Sequence, residues 1–166
     1  MSAIKICARA DLKRRAAGLA QPHVFTNGMF DLLHRGHIDY LCEARYLGCS
    51  LIVGIHSDAS ARALNKGAGR PLNNQADRAA VVAALECVSL VVVFDEPTLL
   101  TVLEELRPRV YVRGGPYSLD RPPEAERIGQ WGGRTVVLNH RAGCSTTLLI
   151  DRARQTAVPE RKDTVA

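Results

Sequence analysis

The chain has 166 residues, of which 46% are hydrophobic, 23% charged and 5% aromatic. These proportions suit one ordinary globular domain with a buried core, and they exclude a collagen-like, fibrous or wholly disordered chain. The net charge of +5, from 22 Lys and Arg against 17 Asp and Glu, fits a polyanionic small molecule as well as a nucleic acid.

In chain order, the periodicity gives a preliminary helix over 11–19, a strand over 23–26 and a helix over 38–47. That helix places Ile38, Leu41, Cys42 and Arg45 on one stripe and stops at Gly48. A strand over 50–56 and an Ala- and Val-rich helix over 76–85 follow, then a strand over 90–94. The next helix, 98–106, opens at a capping Thr98 and ends before Pro108. After a strand over 109–113, a helix over 123–131 starts with Pro and ends at Gly132-Gly133. A strand over 135–138 and a helix over 145–154 complete the pattern. Strands that are nearly all apolar rather than alternating, separated by helices, imply a doubly wound α/β sheet of about five parallel strands covered on both faces. Residues 1–154 read as one domain; residues 155–166 show no periodicity and read as a mobile tail.

No segment reaches the ~20 apolar residues that a membrane crossing needs, and the N-terminus lacks the apolar stretch of a secretory signal. The five cysteines are an odd number with no CxxC pair, which reads as free thiols in a reducing compartment. A cytoplasmic location and no membrane partner are therefore expected. No aromatic residues interleave with the basic ones as a base-stacking platform requires, so no nucleic acid partner is expected either.

Ligands of such sheets sit beyond the carboxyl ends of the strands, which directs attention to the loops 27–37, 57–72, 114–122 and 139–147. The first reads Asn27-Gly28-Met29-Phe30-Asp31-Leu32-Leu33-His34-Arg35-Gly36-His37. Gly28 lets the backbone approach a ligand. His34 and His37, three apart across Gly36, face one way at a helix start, where free amides and the helix dipole favour an anion. The plain alternative is a pair of capping or solvent-facing histidines. A zinc site from His34, His37 and Cys42 lacks a fourth ligand at a usual spacing. Neither GxGxxG nor GxxxxGK[ST] is present, which argues against a dinucleotide-binding dehydrogenase and a Walker-type enzyme.

Further along, Lys66 lies on a Gly-rich loop and is either a mobile charge over phosphates or a solvated lysine. Arg70 and Arg78 are candidates for bidentate phosphate binding, with Arg78 equally readable as a helix-surface residue. Asp58 and Asp31 are read either as partners of sugar hydroxyls or, for Asp58, as part of a helix cap. Ser145 and Thr146 open a helix whose amides suit a phosphate, or they simply cap it. Cys144 has no His–Asp relay beside it and reads as lining rather than a nucleophile. Gly114 and Gly115 bring backbone close to a flat base or make a plain turn.

The run from Asn27 to His37 resembles the HxGH signature of the cytidylyltransferase-like nucleotidyltransferases, whose fold is a Rossmann-like sheet. The segments HSDAS (56–60), NKGAGRPLN (65–73), RGGPY (113–117) and GCSTT (143–147) resemble one bacterial branch, the D-glycero-β-D-manno-heptose 1-phosphate adenylyltransferases, in the stand-alone form without a kinase domain. That resemblance implies transfer of AMP from ATP to a heptose 1-phosphate, for the inner core of lipopolysaccharide. It implies His34, His37 and Lys66 as catalytic residues. Nucleotide contacts would come from Thr26, Asn27, Gly28, Met29, Phe30, Gly36, Arg113, Gly114, Gly115, Gly143, Cys144, Ser145 and Thr146. Asp31, Asp58, Arg70 and Arg78 would contact the sugar phosphate. Mg²⁺ is expected, held mainly by the nucleotide phosphates, and so is a homo-oligomer. The other readings are a cytidylyltransferase for glycerol 3-phosphate or another polyol phosphate, and a non-catalytic nucleotide sensor. The relatives usually carry Lys-Gly-Gly-Asp where this chain has Arg113-Gly114-Gly115-Pro116, and an acidic residue where it has Ser89. These differences bear on sugar selectivity more than on phosphate chemistry.

Overall fold

A computed structural model describes residues 2–65, 67, 69–96, 98–115, 123–139 and 143–156. Six strands form one parallel sheet: β1 (Ile6–Cys7), β2 (His23–Gly28), β3 (Ser50–His56), β4 (Leu90–Phe94), β5 (Val110–Gly114) and β6 (Arg134–Leu138). Their order across the sheet is β1-β4-β3-β2-β5-β6, with every pairing parallel. The helices are α1 (Leu12–Ala17), α2 (Arg35–Arg45), α3 (Asp58–Ala63), α4 (Gln75–Ala83), α5 (Leu100–Leu106), α6 (Pro123–Gly129) and α7 (Thr146–Thr156).

The sequence pattern falls one strand short of this sheet. β1 is only two residues long and has no periodicity to read; it adds to the far edge by pairing Ile6 with Val91 and Cys7 with Val92. The helix α7 runs to Thr156, and residues 157–166 of the expected tail lie outside the described residues.

Alternation along the strands splits the core in two. Val24, Leu51, Val53, Ile55, Val91, Val110 and Val112 pack on one face against Leu41 and Ala44 of α2 and Ala79, Val82 and Ala83 of α4. Phe25, Ile52, Leu90, Val92, Phe94 and Tyr111 pack on the other, against Leu12 and Ala16 of α1, Val102 and Leu103 of α5 and Ile128 of α6. Successive strand residues point to opposite faces, so a strand covered on both sides is apolar at every position. Gly48 is needed for space: an added Cβ would sit 2.6 Å from the Pro22 carbonyl and 2.7 Å from Val24.

The chain leaves β2 in two directions. β3 and β4 build outward on one side, and β5 and β6 on the other. The switch point therefore lies between β2 and β5, and the crevice above it is where a doubly wound sheet takes its ligand.

Candidate active site

A cavity of about 570 Å³ opens at the carboxyl ends of β2, β3 and β5, a size ordinary for a small-molecule site. Of the residues singled out by sequence, Asn27, Gly28, Met29, Phe30, Asp31, His34, His37, Arg70, Arg113, Gly114, Cys144, Ser145 and Thr146 line it. Lys66 and Pro116 lie outside the described residues.

The two histidines are built by the start of α2. His34 is the extended residue before the helix (φ −140°, ψ 169°), and its carbonyl accepts from the His37 amide at 2.9 Å. Their rings stack at 3.9 Å between centroids with 19° between planes. Phe30 tilts against His37 at 5.4 Å. Ring nitrogens stacked this closely can both be turned toward one anion in the cavity. Gly36 makes the arrangement possible: a Cβ there would meet Cys144 at 3.0 Å and the His34 ring at 3.1 Å. The absence of a side chain lets the loop before α7 close onto the histidines.

From that loop Ser145 caps α7, its Oγ accepting from the Leu148 amide at 3.1 Å. The Thr146 hydroxyl donates to the Leu32 carbonyl at 3.1 Å and ties α7 to the HxGH loop. Two helix starts, α2 and α7, thus border one cavity, and each offers amide hydrogens to an anion.

Several expected contacts stand elsewhere. Arg78 is not on a helix surface and does not reach the cavity. Its side chain has no exposure, and it donates from Nε to the Asn73 carbonyl (3.0 Å), from one terminal nitrogen to the Met29 carbonyl (2.6 Å) and from the other to Asp58 (2.7 Å). Its five-donor fork is spent inside the protein, because a buried guanidinium must be both paired and hydrogen-bonded. Asp58 is correspondingly an internal counter-ion rather than a cavity residue, and the cap of α3 is Ser57, which accepts from the Ser60 amide. Asp31 borders the cavity, but its carboxylate already accepts from the Leu72 and Asn73 amides (2.8 and 3.0 Å) and pairs with Arg70 at 3.3 Å. It anchors the 70–73 segment and sets Arg70 at the cavity wall. Thr26 is fully buried beneath the site, bonded to the Tyr40 hydroxyl (2.6 Å) and the Val112 carbonyl (3.0 Å). Gly36, Gly115 and Gly143 shape the backbone without lining the cavity; Gly115 and Gly143 hold φ of 115° and 75°, where other residues are strained.

The structure adds cavity residues not given a role from the sequence: His56 and Thr147, which lie inside the quoted HSDAS and GCSTT segments, and Tyr40, Leu64, Leu99, Tyr111 and Glu124, which lie outside those motifs. Glu124 pairs with Arg113 at 3.1 Å. Tyr111 was readable in principle, since it alternates with Val110 and Val112 and ends in a polar group. Leu99 carries no such signal. Ser89 lies at the other end of the sheet, where its Oγ accepts from the Leu51 amide (3.2 Å), so that departure from the relatives falls far from the cavity. Trp131 also lies away from the cavity, donating to the Pro108 carbonyl at 3.1 Å. Among the described residues no cluster of three or more His, Cys, Asp or Glu could hold a metal ion, and no helix is long and apolar enough to cross a membrane.

The family model described as "Cytidylyltransferase-like" matches residues 25–152, which include both helix starts and the whole cavity wall. The chain belongs to the cytidylyltransferase-like family. Within it, this chain is 47% identical to a D-beta-D-heptose 1-phosphate adenylyltransferase of Bordetella bronchiseptica, over 91% of this chain and 94% of that protein. It is 49% identical to the "Bifunctional protein HldE" of Geotalea uraniireducens over 82% of its own length, but it spans only 28% of that longer protein. Among solved structures, a lipopolysaccharide core biosynthesis protein of Thermoplasma volcanium superposes with a TM-score of 0.61 at 27% identity, covering 75% of this chain and 98% of that one. A pantoate-beta-alanine ligase of Francisella tularensis (TM-score 0.55, 15% identity, 82% of this chain and 67% of that one) shares the fold alone. This family member therefore has the Rossmann-like α/β architecture that its HxGH segment implies.

Proposed function

We propose that this chain transfers AMP from ATP to D-glycero-β-D-manno-heptose 1-phosphate, giving ADP-heptose and pyrophosphate for lipopolysaccharide inner-core synthesis. The observation that carries the reading is the end-to-end likeness to the Bordetella adenylyltransferase, 47% over 91% of the chain. The convergence of phosphate-directed groups on one cavity supports it.

An oxygen of the sugar phosphate attacks the α-phosphorus of ATP. The new P–O bond forms as the bond from the α-phosphorus to the bridging oxygen breaks, and pyrophosphate leaves with the electron pair. The nucleophile is already an anion, so no general base is required and the protein contributes position and charge neutralisation. On this reading the stacked His34 and His37 donate to phosphate oxygens as charge moves toward the leaving group. Ser145, Thr146 and the α7 amides receive the β- and γ-phosphates and then the departing pyrophosphate. Arg70, braced by Asp31, takes the acceptor phosphate. Lys66 supplies a positive charge to the triphosphate. Mg²⁺ would be held mainly by the phosphate oxygens of ATP and by water, and would neutralise charge on the triphosphate. The reaction runs in the cytoplasm, and the resemblance implies a homo-oligomer.

The test is pyrophosphate release with ATP, CTP, GTP and UTP, each with Mg²⁺ and with either heptose 1-phosphate or glycerol 3-phosphate. Turnover is expected only with ATP and the β-anomer of the heptose. Turnover with CTP and glycerol 3-phosphate would move the chain to the other branch, and ATP binding without turnover in any pair would make it a sensor.

A further inference from the structure

Three strand ends above the face covered by α1, α5 and α6 are joined by a chain of hydrogen-bonding contacts. The Tyr111 hydroxyl on β5 donates to Asn27 Oδ1 on β2 at 2.9 Å. Asn27 Nδ2 faces His56 Nε2 on β3 at 3.4 Å. His56 Nδ1 lies 2.8 Å from the Ser60 hydroxyl on α3. Since Tyr111 donates to Oδ1, the side of the Asn27 amide turned to His56 is its NH₂. An Nε2 that accepts from it places the ring proton on Nδ1, toward the Ser60 hydroxyl. His56 also packs against Phe94, with ring centroids 4.6 Å apart and the planes tilted by 49°.

We propose that Tyr111 and His56 are positioning residues that clamp the Asn27 amide so that it reads sugar hydroxyls in the cavity. Asn27, His56 and Tyr111 all line that cavity. Among the described residues the amide makes these two bonds, which leaves one Nδ2 hydrogen and one Oδ1 lone pair for a ligand. The amide that faces the ligand carries no formal charge, and the neighbouring Arg113 pairs with Glu124 at 3.1 Å. The phosphate-directed groups border the same cavity from the starts of α2 and α7. A neutral donor and acceptor held rigidly suit a hydroxyl, whereas a phosphate calls for the cationic groups opposite. This inference rests on the sugar-nucleotide reading above. The hydroxyls belong either to the acceptor sugar or to the ribose of the nucleotide, and the two Michaelis constants tell them apart.

The experiment has two arms. In the unliganded protein, long-range ¹H–¹⁵N correlation spectra should show His56 with its proton on Nδ1, and Asn27→Ala should release it to a mixture of tautomers. A proton on Nε2 in the parent protein overturns the relay, and this holds whether or not the chain turns over any substrate. In steady-state assays, His56→Phe, which keeps the contact with Phe94, and Tyr111→Phe should each raise the KM of one sugar-bearing substrate by about tenfold with kcat within about threefold. The double variant Asn27→Ala/His56→Phe should be no worse than about twofold beyond Asn27→Ala alone, because both changes remove one interaction. Unmoved KM values for both substrates, or fold-changes that multiply, would overturn the proposal.

Discussion

The HxGH segment and the Arg78 cluster both place basic side chains in the first turns of a helix, α2 and α4, and the structure uses them in opposite ways. His34 and His37 sit at the open start of α2, stacked on each other and bordering the cavity. Arg78 sits one turn into α4, with every donor group turned inward to Met29, Asn73 and Asp58. The difference lies in where each backbone stands relative to the sheet. A side chain at the helix start faces the crevice, and one turn later it faces the loop packed beneath. Arg78 and Asp31 together hold the 70–73 segment, so this region serves the site by fixing its wall.

The sharpest way to break the comparison is to remove each basic group in turn. Arg78→Ala leaves Asp58 without its counter-ion and two carbonyls without donors, which should cost about 3–5 kcal/mol of stability, read as a lower urea midpoint. His34→Ala or His37→Ala should leave that midpoint within about 1 kcal/mol while lowering kcat on the order of 10²- to 10³-fold, as expected for loss of a donor to developing charge. An Arg78 variant as stable as the parent would collapse the distinction between the two regions. Arg70→Ala sharpens it from between: exposed only in part and braced by Asp31, it should raise the KM of the sugar phosphate by about tenfold with a modest change in stability.

The smallest effect concerns a thiol outside both regions. Burial, and then a hydrogen bond with Cys42, push the Cys87 thiol up to about 11 from 9.0. The folded state therefore holds its proton more tightly than the unfolded one. That contribution is complete below pH 9 and is lost as pH rises toward 11, so Cys87→Ser should flatten a slight fall in stability over this range. Alkylation at neutral pH should reach the exposed Cys49 well before Cys87.

How far these roles could be read from sequence follows the same physics. Strands β3 and β4 are legible to the residue, because a strand buried on both faces is a largely apolar run, broken in β3 only by Ser50 and His56 at its ends and Gly54 within it. The two-residue β1 is not, since two residues have no period and its pairing with β4 is a tertiary event. The histidines are legible because HxGH joins a residue type to a backbone position. Arg78, Asp58 and Asp31 are legible as polar residues near the crevice, yet not as an internal network. Their partners, the Met29 and Asn73 carbonyls and the Leu72 amide, are backbone groups brought close only by the fold. The Tyr111–Asn27–His56 relay is hidden for a similar reason: it spans three strands whose adjacency is a matter of topology.

The most direct test of the account follows the phosphorus. Protein, Mg²⁺, ATP and heptose 1-phosphate are incubated together and monitored by ³¹P NMR, with His37→Ala alongside. The account predicts that ADP-heptose and pyrophosphate appear in equal amounts, and on the order of 10²-fold more slowly in the variant. ADP accompanied by a doubly phosphorylated sugar would place the attack at the γ-phosphorus, and an unchanged rate in the variant would remove the histidine pair from the chemistry; either result contradicts it.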